Sequence, residues 1–277
     1  WRGERLRAPN PYWYWVWKRV LPNSAATARF GHTMSFDPGP HPPSANDAQF
    51  ARLVIFGGRL ADSSLANNHI YTYGVGKSGT QADSGAWRET TVPAESVQVG
   101  VPEAREGHAA AVRSTVAGDD DKERQIFFFG GARADSSLVD AGLWYLSRPD
   151  LAAGDTALSS WQWEKVHVPT GVTAPTGRWR PAMGYNLASK RMVIVGGDTN
   201  GAKIHNPSGL TNEIWSVPAA DNAPQTYGIW SQPAMRSFPA HPGPPPNAGF
   251  QMFALMDQAA GPPVQSAGHS RALHVCQ

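Results

Sequence analysis

Arg52-Leu53-Val54-Ile55-Phe56-Gly57-Gly58 is a run of apolar residues closed by a glycine pair. It recurs as Arg124-Gln125-Ile126-Phe127-Phe128-Phe129-Gly130-Gly131 and as Arg191-Met192-Val193-Ile194-Val195-Gly196-Gly197. The pairs lie 73 and then 66 residues apart. One such string is weak evidence of anything. Three in order mean that a structural unit is repeated.

Each pair sits in a longer frame. Upstream is a strand-like run led by an arginine, Arg29-Phe30-Gly31-His32-Thr33-Met34-Ser35-Phe36, then Arg105-Glu106-Gly107-His108-Ala109-Ala110-Ala111-Val112. The third copy, Arg178-Trp179-Arg180-Pro181-Ala182-Met183-Gly184-Tyr185, puts arginine and proline in place of Gly-His. Downstream come Asn68 to Tyr73, Gly142 to Leu146 and Asn212 to Val217, rich in aromatic and β-branched residues. A last run carries a tryptophan and stops at a proline: Trp87 to Pro93, Trp161 to Pro169 and Trp230 to Pro233. Such residues favour a pleated surface, and Gly, Pro, Asn, Asp and Ser punctuate the turns. Each repeat therefore reads as four short strands. Gly57, Gly58, Gly130, Gly131, Gly196 and Gly197, with Trp87, Trp163 and Trp230, are its structural marks.

In this order of elements the chain resembles the kelch repeat family. The resemblance runs from about Trp13 to the C-terminus, although these repeats exceed the family's usual length of about 50 residues. It implies an all-β fold, a β-propeller whose blades are four-stranded sheets around a central channel. The expected organisation is an N-terminal arm with a ring-closing type of strand (1–22), three blades (23–93, 94–169 and 170–233) and half a fourth (234–277). In the fourth, Asn247 to Leu255 fits a first strand and Arg271 to Gln277 a second, with Cys276-Gln277 at the glycine-pair positions. The run Tyr12 to Pro22 reads as an orphan fourth strand. Propellers hold about 4–8 blades, so the array is expected to be a piece of a larger ring, or one completed by a second chain.

Composition narrows the function. The 277 residues are 41% hydrophobic and 17% charged, enough for one sizeable core. Twenty-eight Gly and 24 Pro suit many turns and few helices. A net charge of +2 argues against a dedicated nucleic-acid surface. No apolar run reaches the ~18 residues of a membrane span. The single cysteine, Cys276, excludes an internal disulfide and a cysteine-based zinc site. Low charge with much Gly, Pro, Ser and Thr leans towards an extracytoplasmic setting; compartment is otherwise open.

The resemblance places the loops joining strands 2–3 and 4–1 on one face, where relatives usually bind partners. Two of these loops share a string: Arg59-Leu60-Ala61-Asp62-Ser63-Ser64-Leu65 and Ala132-Arg133-Ala134-Asp135-Ser136-Ser137-Leu138. Asp and Ser side chains can accept bonds from nearby amides and hold a turn, while Arg59 and Arg133 suit recognition of a partner. The third loop, 198–210, departs from the pattern, which marks Asp198, Asn200, Lys203 and His205 as further contact candidates. A Pro-rich stretch at 241–246 falls on the same face. Opposite, the acidic run 118–123 reads as a solvated turn, for it lacks the ordered ligand spacing of a calcium loop.

No metal site is expected. His32 and His108 occupy equivalent positions, which assigns each to its own repeat, and the other histidines lack ligand spacing. No phosphate loop, dinucleotide fingerprint or Gly-x-Ser-x-Gly elbow is present. The expectation is a non-catalytic scaffold without cofactor, binding a protein or a glycan through the 2–3 and 4–1 loops. The alternatives are a propeller enzyme whose site lies outside this chain, in the manner of galactose-oxidase-like proteins, and a structural subunit of a larger assembly.

Overall fold

The computed structural model describes residues 2–7, 13–18, 27–37, 52–74, 87–94, 100–113, 124–148, 161–201, 209–219 and 228–232. The first two stretches are described by their backbone. Lys203, His205, the acidic run 118–123, the Pro-rich stretch 241–246 and the expected partial repeat 234–277 lie outside the described residues. The protein is all-β, built of antiparallel sheets, and the described residues contain no α-helix.

β1 (Arg2–Arg7) and β2 (Trp13–Lys18) form a two-stranded hairpin, Arg2 opposite Lys18 and Arg7 opposite Trp13. The expected orphan strand thus exists but is not an orphan. The polar run Arg2 to Arg7 gave no apolar signal to reveal its partner.

The next sheet joins β4 (Thr33–Asp37), β5 (Arg52–Phe56), β7 (Ile70–Gly74) and β8 (Trp87–Thr90) in chain order. Its small companion pairs β3 (Arg29–Phe30) with β6 (Arg59–Leu60). The second sheet joins β9 (Ala109–Val112), β10 (Arg124–Phe129), β11 (Trp144–Arg148) and β12 (Gln162–Lys165). The third holds β13 (Ala182–Asn186), β14 (Arg191–Val195) and β15 (Ile214–Pro218). These three are sheets one, two and three in chain order.

Register is the same throughout. Trp87 faces Tyr73 and Trp163 faces Leu146, while Ser231 bridges Ser216, which sets Trp230 beside Val217. Among the described residues the third sheet departs from the four expected strands, because only this bridge represents the fourth.

Among the described residues the core is two clusters, one between each pair of successive sheets. Val54, Phe56 and Ile70 of sheet one pack with Ile126, Phe128, Leu146 and Trp163 of sheet two. Phe127, Phe129 and Leu143 of sheet two pack with Met183, Met192, Ile194 and Trp215 of sheet three. Adjacent residues of β10 therefore serve opposite interfaces, as the alternation of a strand requires. Each such aromatic contributes about 1.5–3 kcal/mol by leaving water.

Pairing of the first strands begins later than the sequence indicates, at Thr33, Ala109 and Ala182. Gly31, Gly107 and Arg180 have φ of +64°, +61° and +49° and break each run two residues after its arginine. The residues before the break pair instead with those after the glycine pair: Phe30 with Arg59, Glu106 with Ala132, Trp179 with Asp198.

The leading arginines are repeat elements the sequence displayed but charge disguised. Arg29, Arg105 and Arg178 each donate to the carbonyl of the first glycine of the pair, Gly57, Gly130 and Gly196, at 3.3, 3.1 and 3.2 Å. Each also donates to the carbonyl two residues before itself. Arg105 and Arg178 are wholly buried. Burial pushes Arg105 down to about 10, opposed by Asp140 at 3.8 Å. In turn the arginine's own backbone carbonyl is held by the preceding sheet: Gly58 N–H donates to Arg105 and Gly131 N–H to Arg178, at 2.8 and 2.9 Å.

His108 corrects the expectation that each histidine serves its own repeat. Its Nε2 lies 2.8 Å from Thr33 Oγ1 of sheet one, and its ring packs edge-on against Phe56 with centroids 5.2 Å apart. The residue is a tie between sheets.

Candidate binding face

The turns after the glycine pairs and the entries to the first strands meet along one face. The Ala-Asp-Ser-Ser-Leu loops are held by their own side chains. Asp62 Oδ1 accepts the Ser64 amide at 3.0 Å and the Ser64 hydroxyl at 2.6 Å. Asp135 does the same for Ser137, at 2.9 and 2.6 Å. These bonds hold both carboxyls below the ordinary aspartate range. Ser63 and Ser136 take φ of +68° and +69° at the tips. In the third loop Asp198 is buried and its Oδ1 accepts the Asn200 amide at 2.8 Å.

The two loop arginines have different tasks. Arg59 donates through Nε and NH2 to Glu106 Oε1 of the next sheet, at 2.9 and 2.6 Å. That carboxylate is 8% exposed. Removing one partner of such a pair costs about 3–5 kcal/mol, because the other charge is left buried. Arg133 donates to both oxygens of Glu103, at 2.7 and 2.6 Å, in a pair whose side chains are 40% and 42% exposed. An exposed pair is worth about 0–1 kcal/mol.

The loops touch. An Arg59 NH2 lies 3.5 Å from the Arg133 carbonyl, and a Cβ on Gly201 would come 2.6 Å from the Ser136 carbonyl. Arg59, Asp62, Ser63, Arg133, Asp135, Ser136, Asp198 and Asn200 are therefore brought together. Phe30, Trp179 and Arg180, which the sequence does not mark as contact candidates, join them: Phe30 pairs with Arg59 and Trp179 with Asp198. Phe30 is exposed, and Arg180 is exposed with its guanidinium carbon 4.2 Å from the centre of the Trp179 ring. Their signal was available: Phe30 and Trp179 occupy the variable position of the Arg-x-Gly-His frame, and Arg180 stands where the other two copies have glycine. Among the described residues no group of three His, Cys, Asp or Glu is placed to hold a metal ion, and no helix is long and apolar enough to cross a membrane.

No family model and no curated protein matches this chain. Among solved structures it is similar to a chain of the cryo-EM structure of RAG in complex with one melted RSS and one unmelted RSS. That likeness has 13% identity and a TM-score of 0.42, over 72% of this chain and 55% of the other. A second likeness, to the structure of YjhT, has 12% identity and a TM-score of 0.32, over 82% of this chain and 75% of that one. The chain thus spans about half the length of the RAG chain.

Proposed function

We propose that the three sheets are successive blades of a kelch-like β-propeller and that the protein is a scaffold binding a protein partner on its loop face. The contiguity of loops from all three sheets carries this reading. Side-chain and backbone contacts join 59–65 to 132–138 and 132–138 to 198–201. The propeller geometry is supported by the repeated links between neighbouring sheets. Gly58 to Arg105 recurs as Gly131 to Arg178, and Gly107 to Gly31 recurs as Arg180 to Gly107. Met34 and Phe36, the register counterparts of Ala110 and Val112, are 59% and 49% exposed. A further blade packing on sheet one would cover them.

The test leaves the arginines alone, since Arg59 holds two sheets together. Ala61 and Ala134 are exposed at the loop tips. Ala61→Glu with Ala134→Glu is expected to keep the melting temperature and to abolish cross-linking of partners captured by the native chain. An unchanged set of cross-linked partners would remove the loop face as the binding surface.

A further inference from the structure

Each first strand is entered through a residue at positive φ: Gly31, Gly107 and Arg180. The backbone links there are also alike. Gly107 N–H donates to the Gly31 carbonyl at 2.8 Å, and Arg180 N–H to the Gly107 carbonyl at 2.6 Å. The local structure thus asks for glycine in all three places, since an L side chain in this region crowds the next carbonyl. Sheet three carries an arginine. Strained residues persist where surroundings hold them, and they cluster at sites of function.

The surroundings of Arg180 say what it is for. Arg59, Arg133 and Arg180 share this face. Arg59 is satisfied by Glu106 and Arg133 by Glu103, both at 2.6 Å. No carboxylate among the described residues pairs with Arg180. Its guanidinium instead lies over the Trp179 ring. That indole is itself fixed against Gly107, where any Cβ would overlap it. The guanidinium is therefore exposed, charged and pre-oriented, with its hydrogen-bonding edge unused by the described residues. A stacked guanidinium still presents its planar fork to a carboxylate.

We propose that Arg180 is the recognition residue of the loop face and takes a carboxylate of an acidic protein segment. The partner supplies what Glu106 and Glu103 supply to the other two arginines. The inference rests on the reading of the loop face as a binding surface.

The test uses the whole chain and fluorescent poly-L-glutamate as probe. Arg180→Gly restores the residue found in the other two repeats. Lys190→Gly is the matched control: it also removes an exposed cation at positive φ, +51°, in the turn between β13 and β14, at the other end of the same sheet. Each variant is expected to melt about 2 °C higher as strain is relieved. Arg180→Gly is expected to weaken probe binding about tenfold or more, and Lys190→Gly to leave it unchanged. A lower melting temperature for Arg180→Gly would assign the arginine a structural role and overturn the proposal. So would equal weakening by both variants, which is bulk charge alone, or no binding by the native chain. Displacement of the probe by inorganic phosphate but not by free glutamate, at equal ionic strength, would overturn the carboxylate assignment. Binding lost in Ala61→Glu/Ala134→Glu but kept in Arg180→Gly would retain the loop face and reject Arg180. Binding kept in both would reject the face itself.

Discussion

Gly57 and Gly100 have nearly the same backbone conformation, φ of +65° and +69°, and differ in what surrounds them. A Cβ on Gly100 would meet nothing within 4 Å. One on Gly57 would overlap the Arg105 carbonyl oxygen and come 2.8 Å from His108 Cε1. The first is therefore a question of conformation alone, and Gly100→Ala should cost about 1 kcal/mol. The second adds a collision with the neighbouring sheet at the point where Gly58 already bonds it, so Gly57→Ala should cost a further ~1–3 kcal/mol. Urea denaturation of the two variants measures the difference. Equal losses would mean that the glycine pair serves the turn and not the packing of one sheet on the next. His108 makes the same interface sensitive to acid. Burial, then the charges of Arg105 and His32, hold its pKa well below 6.5, and burial lowers His32 as well. The unfolded chain takes up these protons near pH 6.5, whereas the folded chain resists them. The stability they contribute is complete above pH 6.5 and is lost as pH falls towards the folded values, at up to about 1.4 kcal/mol per unit for each histidine. Denaturation at pH 7.5, 6.5 and 5.5 should show the decline, and His108→Gln should make it shallower. An unaltered slope in that variant would remove His108 from the account.

At the scale of elements, most strands were legible because each is a short apolar run bounded by turn residues. What failed has local causes. Arg29-Phe30-Gly31-His32 looked like the start of a strand, but positive φ at Gly31 interrupts pairing and turns Phe30 towards Arg59. The faces of β10 could not be read from Ile126-Phe127-Phe128-Phe129, since a strand buried on both sides loses the alternation that separates in from out. Arg105 and Arg178 carried a clear repeat signal, yet arginine is seldom wholly buried, and nothing in the string told that the glycine carbonyls were waiting for it. The site was legible in part. Arg59 and Arg133 seemed to match because both precede Ala-Asp-Ser-Ser-Leu. Counted from the glycine pair, Arg59 is the first residue after it and Arg133 the second. A slip of one residue sends a side chain to the other face. Arg59 accordingly reaches the buried Glu106 and Arg133 the exposed Glu103.

Across the molecule, sheet two is the shared member. Its β10 lends Ile126 and Phe128 to the cluster with sheet one, and Phe127 and Phe129 to the cluster with sheet three. Repeat arrays of this kind derive stability from each unit and from its contacts with neighbours alone. Damage to one interface should therefore stay at that interface. Phe128 meets Phe56 edge-on at 5.3 Å and Trp163 at 5.2 Å between ring centres. Phe128→Ala should cost about 3–5 kcal/mol, the usual loss for a buried phenylalanine. If the sheets open singly, amide exchange in β5 and β7 should rise by orders of magnitude while β14 and β15 keep their protection. Phe127→Ala is the converse, for Phe127 stacks on Tyr145 at 5.2 Å within the other cluster and should loosen sheet three first. The pair of variants matters more than either alone. Two adjacent residues of one strand, equal in size and burial, would unlock opposite neighbours. Should both instead raise exchange equally in β5 and β14, the three sheets unfold as one. The backbone bonds from Gly58 to Arg105 and from Gly131 to Arg178, rather than the apolar clusters, would then set the cooperativity of the molecule.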